Sequence, residues 1–213
     1  MCKPIRLIIA DDHAIMREGL KQIFSLDKSI EVVAEAADGG QVLERLRYGE
    51  VDLLLLDISM PGISGEDLIR RIISQYKSLP ILVLSMYNEP QIVRRVLNTG
   101  ALGYITKDKN PETLLAAIRR VAAGSPYIDH DLAEQIVFYD HHHGDGAPHE
   151  NLTMRERQIM IMLAHGETIN AIAEALAISN KTVSTYKSRM MGKMKFSSNA
   201  DIVKYAITHK LVQ

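Results

Sequence analysis

The chain is expected to fold as two units of different class: an α/β domain on a doubly wound, five-stranded parallel sheet, then a linker and a smaller all-α domain. Three observations carry this expectation. Between Ile5 and Gly124 five short apolar runs each precede a segment whose apolar residues recur at helical spacing. From Leu152 onward such runs cease and the pattern is helical throughout. Charge divides at the same places. Residues 1–123 carry 16 Lys and Arg against 16 Asp and Glu, 124–150 none against 6, and 151–213 carry 9 against 4, within a net charge of -1.

The first strand is IRLIIA (5–10), followed by a helix over 13–25 with Ile15, Met16, Leu20, Ile23 and Phe24 on one face. IEVVAEA (30–36) is the second strand, and QVLERLRYG (41–49) is a helix stopped by Gly49. The third strand ends in four consecutive leucines, Leu53 to Leu56, the mark of a strand buried on both faces. It stops at Asp57, ahead of a Pro61-Gly62 turn. Ser64 and Asp67 form a capping box for the helix over 67–76. PILVLS (80–85) is the fourth strand, and Asn88 caps a helix through Leu97 with Pro90 in its first turn. GYIT (103–106) is the fifth, and Asn110-Pro111 opens the helix ending at Gly124. Right-handed crossovers then require one parallel sheet with helices on both faces.

Residues 125–150 read as a flexible linker holding one short helix, Asp131 to Tyr139, and a His141–His143 run that offers metal ligands without preset geometry. In the all-α domain (151–213) a Thr153/Glu156 capping box opens the first helix, which ends at Gly166. INAIAEALA (169–177), a tight turn at Ile178-Ser179 and a longer helix over 180–195 capped by Ser179 make a helix-turn-helix, with Ala173 and Ala177 letting the two helices approach. A last helix starts at Asn199 and carries Ile202, Val203, Tyr205, Ala206 and Ile207, more apolar surface than a small bundle needs.

Composition narrows the function class. Apolar residues make 46% and charged residues 24%, and no run approaches the roughly 20 apolar residues of a membrane span. The few apolar residues before Asp11 are too short for a signal peptide, and the lone Cys2 has no disulfide partner, so a cytoplasmic protein is expected. A basic module beyond an acidic segment suggests a polyanionic partner for the former.

Asp57 stands at the carboxyl end of a strand, the edge of an open α/β sheet where ligands bind. A lone Asp there equally serves as a loop cap, so the other strand ends must decide. Asp11 and Asp12 follow the first strand directly, and three converging carboxylates repel one another unless a cation neutralises them. Oxygen ligands with water to complete the shell suit Mg²⁺. A carboxylate so placed can attack a phosphoryl donor if charge on the transferring oxygens is met by the metal and by a second cation. Lys107, after the fifth strand, supplies that cation, and Ser85, ending the fourth, can donate its hydroxyl to a phosphoryl oxygen. Each residue alone has a plain structural role as cap, loop charge or turn; four strand ends delivering the needed groups together do not.

IIADDH, LLLLDISMPG, LVLS and GYITKD, in that order and spacing, resemble the receiver domain of bacterial two-component response regulators, and residues 152–194 resemble the LuxR-type helix-turn-helix of the NarL/FixJ subfamily. The resemblance implies that Asp57 is the phosphoacceptor and that Asp12, Asp57 and the main-chain carbonyl of Ser59 ligate Mg²⁺, with Asp11 acting partly through water. It implies that Ser85 and Lys107 hold the phosphoryl group and that Tyr104 swings inward with Ser85 on activation. A sensor histidine kinase, double-stranded promoter DNA and a homodimer are the partners it implies, with no membrane partner, and the chain would be a transcription regulator that acts enzymatically on nothing but its own Asp57. Departures from the pattern are Ser85 where Thr is frequent, the small Ser59, Ala171 in place of a Lys, and Tyr186 in place of a His.

A helix-turn-helix presents the N-terminal part of its second helix to the major groove. Here that part carries Lys181, Thr182, Ser184, Thr185, Lys187, Ser188 and Arg189, while Val183, Met190 and Met194 face the core. Lys and Arg suit phosphates; Ser184, Thr185 and Ser188 are spaced to reach base edges. The alternative is a solvated basic face. An enzyme-class rival, a phosphohydrolase using Asp57 on an external substrate, lacks a second Asp two residues after Asp57.

Overall fold

The structure, a computed structural model, describes residues 3–63, 65–142 and 147–212. It parts into two compact units after His142.

In the first unit the strands are β1 (Ile5–Ala10), β2 (Ile30–Ala36), β3 (Leu53–Leu56), β4 (Ile81–Ser85), β5 (Gly103–Thr106) and β6 (Tyr127–Ile128). They form one parallel sheet in the order β2-β1-β3-β4-β5-β6. Between them lie α1 (Ala14–Ser25), α2 (Gly39–Tyr48), α3 (Gly65–Gln75), α4 (Pro90–Asn98) and α5 (Pro111–Ala122), with α6 (His130–His142) after β6. β3 pairs with β1 on one side and β4 on the other, and all four of its leucines are buried. Leu53 and Leu55 join Leu7, Ile9, Leu82 and Leu84 in a core packed with Leu20, Phe24, Ile118 and Val121 from α1 and α5. Leu54 and Leu56, alternating with them, are buried toward the opposite face. Truncating such a leucine costs about 2–5 kcal/mol, so the strand ends that carry the polar residues are rigidly placed.

Five strands were expected and six are present. β6 is two residues long, too short to leave a pattern, and it pairs with Gly103 and Tyr104 of β5. Gly103 is required there, because a Cβ would stand 2.8 Å from Leu82 and Val121 side-chain atoms and 3.1 Å from the Tyr127 carbonyl. The segment read as a linker is therefore ordered over its first half. Lys109 Nζ, 3.1 Å from Asp129, ties the β6–α6 junction to the β5–α5 loop, and α6, longer at both ends than the short helix expected, packs against α4. The helix includes His141 and His142; their side chains, all of His143, the Ser64 half of the expected capping box and Cys2 lie outside the described residues. At α4 the cap is Glu89, not Asn88, since Pro90 takes the first helical position and the residue before it must be the cap. α5 opens as expected, with Asn110 accepting from the Thr113 amide.

The second unit is helical: α7 (Met154–Ala164), α8 (Ile169–Ala175), α9 (Asn180–Met194) and α10 (Asn199–Thr208), after a 3-10 turn at Pro148–Asn151. Thr153 and Glu156 form the expected capping box on α7, and Ser179 caps α9. α10 starts at Asn199 as expected, capped by Ser198 in a capping box with Asp201. Leu152, Ile159, Met160, Ile172, Val183, Tyr186, Met190 and Ile202 fill the core. Ala173 is buried between the helices as expected, whereas Ala177 is exposed and takes φ 52 in the turn. Among the described residues no helix is long and apolar enough to cross a membrane.

Candidate functional site

Hydrogen bonds of the sheet continue past the strand ends and set the charged residues side by side. The Asp57 amide donates to the Ala10 carbonyl at 2.8 Å, the Asp11 amide to Ala36 at 3.1 Å, and the Lys107 amide to Ser85 at 2.8 Å. Asp11, Asp57 and Lys107 thus emerge on one edge, where the winding reverses between β1 and β3. Lys107 Nζ donates to Asp11 Oδ2 at 2.6 Å and to Asp57 Oδ2 at 2.7 Å, and the three side chains are at most 6% exposed. Burial opposes the charge on Lys107, but its hydrogen bonds to Asp11 and Asp57 outweigh that and hold its pKa above the ordinary lysine value. Asp57 Oδ1 accepts from the Ser59 amide at 2.8 Å.

Asp12, more open to water, completes the cluster, and ligand atoms from Asp11, Asp12, His13 and Asp57 all lie within 4.8 Å of one another. Three carboxylates face one ammonium, leaving a surplus of two negative charges. An oxygen-rich donor set with that surplus fits a divalent metal ion.

Next to it, Ser85 is fully buried and its Oγ accepts from the Tyr87 amide at 3.3 Å. Tyr104 is turned inward, also fully buried, and its hydroxyl donates to the Tyr87 carbonyl at 2.8 Å. Burial pushes its pKa well above the ordinary phenol range, so it stays a donor. The loop leading into α4 is therefore held by Ser85 and Tyr104, the two residues that the resemblance implies move together. Glu66 on α3, itself buried, holds Arg95 of α4 at 2.9 Å, linking the helices that follow Asp57 and Ser85.

On α9, Lys181, Ser184, Thr185, Ser188 and Arg189 are exposed and Thr182 and Lys187 half-buried, while Val183, Tyr186, Met190 and Met194 turn inward. Two hydroxyls are already engaged. Thr182 Oγ1 pairs with Ser179 Oγ at 2.8 Å and Thr185 Oγ1 donates to the Lys181 carbonyl at 2.9 Å, whereas Ser184 and Ser188 are exposed on the same face. The orientation of the helix is fixed from both sides: Lys193 Nζ donates to Glu156 of α7 at 2.6 Å, and Asn180 donates to Asn170 of α8 at 2.8 Å.

Comparison with known proteins agrees with this two-part geometry. The response regulator receiver domain family matches residues 7–119, and the luxR family of bacterial regulatory proteins matches 150–206. The oxygen regulatory protein NreC of Staphylococcus haemolyticus is 37% identical, over 98% of this chain and 99% of its own. The response regulator UvrY of Escherichia coli is 35% identical, over 97% and 95%. The chain is a response regulator with a LuxR-type DNA-binding domain. Among solved structures, the RcsB response regulator of Salmonella typhimurium shares 27% identity and a TM-score of 0.63 over 97% of this chain and all of that one. RcsB has also been solved on promoter rprA with the phosphomimetic BeF3- (TM-score 0.63, 27% identity, 95% of this chain and 98% of that one). This response regulator is accordingly a phosphorylation-controlled, DNA-binding transcription regulator of a two-component system.

Sequence reasoning missed two residues of the receiver pocket. His13 turns back over the acidic cluster, its amide donating to Asp11 Oδ1 at 2.8 Å and its ring Nδ1 standing 3.2 Å from Asp11 and 3.0 Å from Asp12. Arg17, one turn further, donates to the Asp11 carbonyl at 2.7 Å and reaches Glu35 on β2 at 3.2 Å, fixing the loop from beneath. The run Asp-Asp-His was the only signal for the first; the helical spacing from His13 to Arg17 was the only one for the second.

Proposed function

We propose that a sensor histidine kinase transfers a phosphoryl group to Asp57 and that this modification controls promoter binding by α9. The observation that carries the reading is the buried bridge of Lys107 to both Asp57 and Asp11, in a chain that also presents a capped basic helix. The Asp57 carboxylate attacks phosphorus while the bond from phosphorus to the kinase imidazole nitrogen breaks. Mg²⁺, held by Asp12, Asp57 and the Ser59 carbonyl with Asp11 acting through water, would neutralise charge on the transferring oxygens. Lys107, already on Asp57, exchanges a carboxylate oxygen for a phosphoryl oxygen, and Ser85 exchanges its contact with the Tyr87 amide for the same group. Tyr104 and the loop to α4 then lose or keep their present arrangement together. Water slowly reverses the modification at Asp57; no external substrate is turned over.

Lys181, Lys187 and Arg189 meet phosphates, Ser184 and Ser188 meet base edges, and Thr182 and Thr185 hold the helix that positions them. The active form is a cytoplasmic dimer joined through α10, whose Ile207 is 60% exposed. The receiver unit runs past Gly124 through β6 and α6 to His142, a short connection follows, and 151–213 bind DNA.

Intact mass after incubation with Mg²⁺ and a small-molecule phosphodonor tests the core of this. One added phosphoryl group in the wild type and none in Asp57→Ala is the expected result, with tighter promoter binding in the presence of donor. No addition to the wild type overturns the mechanism.

A further inference from the structure

The carboxylates of the acidic pocket account for a hard cation, but not for the imidazole that joins them. His13 follows Asp12 in the loop before α1, and its amide donates to Asp11 Oδ1 at 2.8 Å, which turns the residue back toward the pocket. Its Nδ1 stands 3.0 Å from Asp12 Oδ1 and 3.2 Å from Asp11 Oδ1. Neighbouring ligands around a six-coordinate ion with bonds of about 2.1 Å are separated by about 3 Å, so the imidazole nitrogen and the Asp12 oxygen already have the spacing of two adjacent ligands. The side chain is 69% exposed, so water can reach the pocket beside it.

We propose that His13 is an additional ligand of the receiver's metal site and that it sets metal preference, favouring a first-row transition divalent cation over Mg²⁺. The inference rests on the reading of this pocket as the cation site. An all-oxygen set suits Mg²⁺, whereas an imidazole adds affinity for borderline ions and little for Mg²⁺. The surplus of two negative charges left by Asp11, Asp12 and Asp57 against Lys107 matches a divalent ion of either kind, so charge does not discriminate and the nitrogen does. Phosphorylation of Asp57 would then depend on which divalent ion the pocket holds.

Titration of the full chain with Co²⁺ and with Mg²⁺ tests this, read by calorimetry and, for Co²⁺, by its visible absorption. The measurement is made in a background carrying His141→Ala, His142→Ala and His143→Ala, so that imidazoles of that run do not compete for the added ion. The expected result is that His13→Ala weakens Co²⁺ by about tenfold or more while changing Mg²⁺ by less than about twofold. His13→Asn, which retains polarity without the imidazole, should behave as His13→Ala. If Asp12→Asn weakens both ions and neither His13 variant weakens Co²⁺, the assignment of His13 is wrong and the pocket remains an all-oxygen site. If Asp12→Asn weakens neither ion, the reading of the pocket as the cation site falls, and this proposal with it.

Discussion

β1 and β3 carry an aspartate–cation contact at each of their ends, and the two ends could hardly differ more. At the opening edge Arg6 gives Asp52 three hydrogen bonds, from its amide, Nε and Nη2 at 2.8–2.9 Å, and reaches Glu50 with Nη1, while Lys3 stands 3.9 Å from Glu50. Two cations answer two carboxylates there. At the carboxyl edge, among the described residues, Lys107 is the one lysine or arginine paired with the Asp11 and Asp57 carboxylates, and Asp12 stands beside His13. The opening edge is balanced and partly open to water; the carboxyl edge is buried and short of positive charge. The same residue types serve as a surface brace at one end and as a cation-seeking site at the other, and the difference lies in stoichiometry and burial.

The largest effect should come from removing the single cation of the buried edge. Lys107→Ala leaves Asp11 and Asp57, both almost fully buried, facing each other, at a cost of about 3 kcal/mol. Mg²⁺ should restore part of that loss, so thermal unfolding of the variant should respond to Mg²⁺ more strongly than that of the wild type. A Lys107→Ala protein as stable as the wild type without Mg²⁺ would show that the carboxylates are not starved of charge.

Two isosteric substitutions sharpen the contrast because they should differ in sign. Asp52→Asn takes a partner from Arg6 and should destabilise by about 1 kcal/mol, discounted because Asp52 is 36% exposed and screened by water. Its hydrogen bonds from Arg6 hold the Asp52 pKa down at about 2. A carboxyl with a lowered folded-state pKa stabilises above its unfolded value and loses that contribution on acidification, here between about pH 4 and pH 2. The Asp52→Asn protein should therefore lose less stability than the wild type across that window, measured by urea unfolding. Asp12→Asn removes part of the unmet charge and should stabilise by about 0.5 kcal/mol while weakening Mg²⁺ binding. Equal signs for the two substitutions would erase the distinction between the edges.

How much of this was legible depends on where each residue sits relative to a strand. Asp11, Asp57, Ser85 and Lys107 follow apolar runs directly, so the continuing sheet ladder fixed them and the runs announced them. His13 acts through a turn whose geometry no spacing encodes, and Arg17 takes its place one helical turn beyond it. The Tyr104 hydroxyl finds a main-chain carbonyl 17 residues away, which residue types cannot foretell. Among the described residues of the receiver each positive φ falls on a glycine, Gly62, Gly100 and Gly124, whereas the helical unit also places Ala177, Lys195 and Lys210 in that region at φ 52–56. A left-handed turn is visible in sequence when a glycine marks it and hidden when an alanine or a lysine does. The same holds for Thr182 and Thr185, chosen as groove-facing by type and engaged within the helix by geometry.

The smallest effect tests the balanced edge at its outermost member. Glu50 is 81% exposed, and Arg6 holds Asp52 through three other hydrogen bonds whether or not Glu50 carries charge. Hydrogen bonding to Arg6 lowers the Glu50 pKa, so the residue is ionised at neutral pH. An exposed charge that shares its cation with a better-placed neighbour contributes little once water and salt screen it. Glu50→Gln should leave the unfolding midpoint unchanged within measurement error, in low salt and in high. A loss comparable to that of Asp52→Asn would mean that Arg6 needs both carboxylates to stay in place. The opening edge would then be a coupled network, and its resemblance to the buried edge closer than exposure alone indicates.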